Sequence, residues 1–151
     1  MWTALAVAPL FGQDSLRQAP RVFIEAFVAH DSLSLTIASE TRARLMPSTQ
    51  MRVISSEDIR VAMESGEPDD FGQPWTIEDV RAVGRLYRAD VIIDLSAERS
   101  SSATTIRAFR IRPVPRGVIE PLRIVSAPTV ERAVSILCEE IGADSATVSP
   151  P

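Results

Sequence analysis

His30 and Asp31 stand side by side in the stretch AFVAHDS, and a His-Asp pair is the part of a catalytic triad that orients a general base. Adjacent residues leaving a strand point in different directions, however, and no G-x-S-x-G elbow accompanies the pair. Asp31 is also placed to cap the helix that follows, so we assign the pair to a cap and turn. His30 is the only histidine and Cys138 the only cysteine, which leaves no imidazole and thiolate set for a transition metal and no internal disulfide. A hard-cation site would have to use carboxylates alone. Glu67, Asp69 and Asp70 form the densest cluster, but the ordered ligand spacing and distal glutamate of a calcium loop are missing. Asp90 and Asp94 bracket Val91, Ile92 and Ile93, about 13 Å apart along an ideal strand, too far for a glycosidase pair. Strand-end hydrogen bonding is their expected duty. The six glycines are scattered and make no phosphate loop. We expect no catalytic residue, no cofactor site and no metal site.

What remains is contact chemistry. Arg107, Arg110, Arg112 and Arg116, with Arg123 on the next segment, form the one basic cluster. The two-residue period of a strand puts Arg110 and Arg112 on one face and Arg107 on the other, so they make no single stripe. Phe109 offers no series of stacking rings, and the formal net charge of -4 gives no general attraction for nucleic acid, so that partner is excluded. Arg110, Arg112 and Arg116 are kept as possible contacts for an acidic protein or a phosphate partner. Phe71 and Trp75 lie in residues 66–75, GEPDDFGQPW, where nothing in the local period demands aromatics, and they are candidate partner anchors. Cys138 falls on the apolar face of the last helix and is expected to act as a small hydrophobe.

The elements that must position these residues are organised around residues 76–98, TIEDVRAVGRLYRADVIIDLSAE. Thr76 can cap a helix whose apolar face is Ile77, Val80, Val83 and Tyr87. The period then changes, and Val91 to Ile93 form a β-branched run that reads as a strand buried on both faces. Upstream, residues 22–28 read as a first strand. Leu33, Ile37, Ala38, Thr41 and Leu45 fall on one face of a helix capped by Asp31 or Ser32 and stopped by Pro47. Residues 51–54 form a second strand, and Ser55 or Ser56 caps a short helix ending at Gly66. Downstream, residues 104–112 read as an antiparallel neighbour. Residues 118–125 contain Pro121, so that strand lies at the sheet edge or breaks in two. Val130, Val134, Leu137, Cys138 and Ile141 mark a last helix over 129–140, with Gly142 as its stop. The order βαβααβββα defines an α/β (α+β-like) two-layer domain: a mixed sheet of about five strands with three to four helices.

At 151 residues the chain suits one core. Residues 1–20 are an apolar start and linker, 21–142 a single domain, and 143–151 a disordered tail. The run WTALAVAPLF at 2–11 is far below the ~20 residues of a bilayer span. It has the length of a signal-peptide core without the preceding basic residues, and reads as a truncated leader, a frayed or sheet-edge amino terminus, or a lipid or partner anchor.

The helix closing on a leucine, RVIS at 52–55, and VGRLYRADVII at 83–93 together resemble the amino-terminal domain of the Tol translocation protein TolB and related envelope modules. The likeness covers residues 21–142 and is clearest at Gly84, Ala89, Asp90 and Val91 to Ile93. Two positions depart from the pattern, Leu95 where a glycine is frequent and Ala26-Phe27 in place of a Pro-Phe pair. The resemblance implies a periplasmic or envelope-facing, non-catalytic domain acting through an unidentified protein partner, with a cytoplasmic module as the alternative. Its rivals are a small regulatory ligand-binding domain, with a pocket near His30, Ser55 and Asp94, and an enzyme using carboxylates alone.

Overall fold

The computed structural model describes residues 19–29, 31–55, 57–58, 77–113 and 118–146. His30, the acidic cluster Glu67, Asp69 and Asp70, the aromatics Phe71 and Trp75, and Arg116 lie outside these residues, as do the apolar start and most of the short helix expected after Ser55.

The expected two-layer α/β architecture is present. β1 (Arg21–Glu25) pairs in parallel with β2 (Arg52–Val53) on one side and with β3 (Val91–Arg99) on the other. β4 (Thr104–Ile111) runs antiparallel to β3 along its whole length, after a turn in which Ser100 Oγ accepts the Ala103 N–H at 3.1 Å. The outer edge of β4 carries β5 (Ile119–Pro121) at one end and β6 (Val125–Ala127) at the other. The strand order is therefore β2-β1-β3-β4-β5, with β6 paired to β4. Pro121 explains the division. It lies opposite Phe109 at the sheet edge, where its missing N–H costs no central ladder bond, and the chain separates into two short strands beyond it.

Three helices are described: α1 (Ser32–Leu45), α2 (Ile77–Leu86) and α3 (Val130–Ala146). On one side of the sheet, α1 and α3 pack on each other and on the strands. Ile37, Ala38 and Leu45 of α1 and Ala133, Val134, Leu137 and Ile141 of α3 meet Val22, Ile24, Ile93, Leu95, Ile106 and Ala108. On the other side, among the described residues, α2 and the turn after it cover β1 and the adjoining ends of β3 and β4, where Val80, Tyr87 and Ala89 enclose Phe23, Phe27, Ile54, Ile92 and Ile111. Phe23 is the hub of this smaller cluster, with ring centroids 5.1 Å from Phe27 and 5.0 Å from Tyr87.

Four details differ from the sequence expectation. β1 ends at Glu25 instead of running to residue 28, and a turn follows it. β3 continues six residues past Ile93 to Arg99, so Asp94 lies within it instead of ending it. Its second half buries Leu95 and Ala97 while Asp94, Ser96 and Glu98 stay wetter, an alternation that its polar composition conceals. α3 does not stop at Gly142 but runs to Ala146, with Ile141 just before the glycine still packed in the core. Gly142 therefore costs propensity without breaking the helix.

Candidate interaction surface

The carboxyl ends of the parallel strands are where an open α/β sheet would place a ligand pocket. Here the polar groups serve the backbone. Asp94 Oδ1 accepts the Phe27 N–H at 2.9 Å; burial raises its carboxyl pKa, against the bonds from the Phe27 and Val28 amides that lower it. Glu25 accepts the Ala26 N–H at 2.9 Å and pairs with Arg42 Nη1 at 3.1 Å. Arg42 also donates to the Ile24 carbonyl at 2.6 Å, so this 8% exposed arginine staples α1 to the end of β1. Asp31 caps α1 through the Ser34 N–H at 2.9 Å and the Ser34 hydroxyl at 2.7 Å, bonds that lower its pKa. Ser34 Oγ in turn accepts the Ala97 N–H at 3.0 Å, on the part of β3 that β1 no longer reaches. Ser55 and Asp58 close a reciprocal cap, with the Asp58 N–H donating to Ser55 Oγ and the Ser55 N–H to Asp58 Oδ2. Of the residues expected around a ligand pocket, Ser55 and Asp94 are thus joined to their own backbone neighbours.

The basic cluster is divided as the strand period requires. Arg110 reaches Glu120 at 3.3 Å with a largely buried side chain, on the side that faces the helices. Arg112 is half-buried, and its Nε is buried without a hydrogen-bond partner among the described residues. Arg107 is exposed on the opposite side. Asp90 has the expected strand-end duty, its Oδ2 accepting the Arg21 N–H at 2.7 Å. Cys138 is half-buried, and burial pushes its thiol up to about 11, far from the thiolate a nucleophile needs.

Among the described residues, the sheet face away from α1 and α3 is open along β5 and on β4 from Phe109 back toward Arg107, whereas Ile111 at the end of β4 is buried. Residues paired across an antiparallel ladder share a face, and Phe109 pairs with Pro121 while Ile111 pairs with Ile119. Ile106 and Ala108 are in the core beneath the helices, so Phe109 points the other way. There Phe109 and Ile119 are each 42% exposed, and Pro121 is exposed beside them. Sequence reasoning had Phe109 as a lone aromatic. The neighbours that give it company are joined to it only by register across the Pro113 break, and the one signal was the outward position of Phe109 between inward Ala108 and Arg110.

A second feature borders this strip. A depression of about 330 Å³ is lined by Gly84, Arg85, Arg88, Ala89 and Asp90 where α2 turns into β3. The turn is a Schellman motif, with the Ala89 N–H bonding the Gly84 carbonyl at 2.8 Å and the Arg88 N–H the Arg85 carbonyl at 3.2 Å. Arg88 occupies its left-handed position at φ 51°, where glycine is favoured.

Among the described residues, no group of three or more His, Cys, Asp or Glu side chains is placed to hold a metal ion, and no helix is long and apolar enough to cross a membrane. No family model matches the sequence, and no curated protein does. The fold itself is shared with solved structures. The chain is similar to the LpoB C-terminal domain from Salmonella enterica, at TM-score 0.56 and 15% identity, over 77% of this chain and 87% of that one. It is equally similar to the LpoB C-terminal domain from Escherichia coli, at TM-score 0.56 and 15% identity, over 74% and 84% of the two chains. At that identity the likeness establishes a common fold.

Proposed function

We propose that the chain is a non-catalytic protein-interaction module of the bacterial cell envelope. The observation that carries this reading is the open part of the sheet, which exposes Phe109, Ile119 and Pro121 on one face while the polar groups at the strand ends serve the backbone. A monomeric domain gains nothing from leaving contiguous large apolar side chains in water, whereas a binding surface needs them. Placement in the envelope rests on the apolar run at 2–11 and on the TolB-like descent from Gly84 through Ala89 and Asp90 into β3. Within that reading the domain is of the TolB amino-terminal type, and Phe71, Trp75, Arg110, Arg112 and Arg116 form an additional set of contacts.

The test is native electrophoresis of an epitope-tagged full chain from fractionated source cells. The tagged chain is expected in the envelope fraction, migrating far above the mass of one chain. A cytosolic monomer would overturn the proposal.

A further inference from the structure

Resting on the interaction-module reading, we propose that the contact surface is a strip from the α2 turn across β5 and β4, and that its partner is a protein segment carrying apolar anchors flanked by carboxylates at both ends. The centre of the strip is Phe109, Ile119 and Pro121, all exposed on the sheet side away from α1 and α3. One end is the depression beside Arg85 and Arg88. The two features share a border: a Cβ at Gly84 would lie 2.9 Å from Pro113, and the neighbouring Arg112 N–H bonds the Val118 carbonyl at 3.0 Å. The other end is Arg107, exposed two residues from Phe109 on the same side of β4.

The charge around this strip is cationic although the chain as a whole carries -4. Arg85, Arg88 and Arg107 are exposed, and among the described residues none of them takes part in an ion pair. The nearby carboxylates are otherwise engaged. Asp90 accepts the Arg21 N–H, Asp94 is largely buried on the Phe27 N–H, and Glu120 pairs with Arg110 on the other side. The first exposed carboxylate of β3 on this side is Glu98, past Arg107. Arg88 stands at this end of the strip on a left-handed backbone, φ 51°, that glycine would adopt more readily.

This arrangement selects among occupants. A second copy packed about a twofold axis through Phe109 would bring the Arg88 end of one chain onto the Arg107 end of the other, a like-charge contact. A segment with apolar side chains over Phe109 and Ile119 and carboxylates reaching Arg88 and Arg107 satisfies both the charge and the apolar strip.

The test places p-benzoylphenylalanine at position 109 of the full chain, and separately at Met46, which is exposed at the end of α1 in the helix layer. Cells are irradiated and the cross-linked peptide is mapped. Position 109 is expected to label one protein, on a peptide with apolar residues bracketed by Asp or Glu. Position 46 is expected not to label it, and Arg88→Glu with Arg107→Glu should lower the yield at least tenfold without shifting the melting temperature. A second copy as the adduct, a peptide without carboxylates, or a yield indifferent to charge reversal overturns the proposal. Silence at 109 while the tagged chain still migrates as a large complex overturns this surface alone. Absence of any large complex overturns the interaction-module reading beneath it.

Discussion

Asp94 in β3 accepts the backbone N–H of Phe27 at 2.9 Å, tying the interior of one strand to the chain just beyond the end of another. The carboxylate is largely buried, and burial raises its pKa above 3.8. The folded chain therefore holds this proton more tightly than the unfolded chain. Its contribution is most favourable below 3.8 and declines as pH rises through the raised value. Asp94→Asn keeps an acceptor for Phe27 and removes the buried charge. Its urea midpoint is expected to equal or exceed that of the wild type at pH 7, with the difference shrinking toward pH 4. Asp94→Ala leaves the Phe27 N–H without its acceptor and should lose about 1–3 kcal/mol.

Asp31 behaves with the opposite sign. The Ser34 bonds lower its pKa below 3.8, so its stabilisation is complete above that value and is lost as pH falls through the folded-state pKa. Asp31→Ala should cost about 1 kcal/mol at pH 7, as for other helix caps, and little at pH 2. An equal loss at both values would show that the cap acts without its charge.

The docking of α2 depends on Gly84. Alanine is favoured over glycine within a helix by about 1 kcal/mol, yet a Cβ here would lie 2.8 Å from Ile92 Cδ1 and 2.9 Å from the Pro113 ring. The ring cannot rotate away, so Gly84→Ala should destabilise by about 1–3 kcal/mol. Ile92 is fully buried under the same helix, and Ile92→Asp should abolish cooperative unfolding, because an unpaired carboxylate there costs at least several kcal/mol. A soluble Ile92→Asp chain with a native near-UV spectrum would remove β3 from the core.

Arg88→Gly separates stability from binding. Relief of the left-handed backbone is worth about 1–2 kcal/mol, and the greater freedom of glycine in the unfolded chain offsets roughly half of it. The expected result is a slightly higher melting temperature together with weaker cross-linking at position 109. A lower melting temperature would mean that the arginine side chain supports the fold.

Much of this architecture was legible because its determinants are local. The β-branched run at 91–93, the 3.6-residue period of α1 and α3, the Asp31 cap and the disruptive Pro121 each announce their element within a few residues. Arg42 was not legible. It lies four residues after Ala38 on the buried face, but its use depends on the Ile24 carbonyl and the Glu25 carboxylate, which only the packing of α1 over β1 brings within reach. The candidate surface was hidden for the same reason, since Phe109 meets Ile119 and Pro121 through a register that no short stretch of sequence specifies.

The most direct measurement joins a thermal melt to native electrophoresis on the doubly substituted chain Phe109→Ser, Ile119→Ser. Both side chains are 42% exposed, so their loss should cost less than about 3 kcal/mol in total and leave a cooperative transition. The large complex should dissociate, with partner affinity at least tenfold weaker, about 1.4 kcal/mol. A complex that survives with the melt intact would contradict the account: the open face of the sheet would then not be where this module meets its partner.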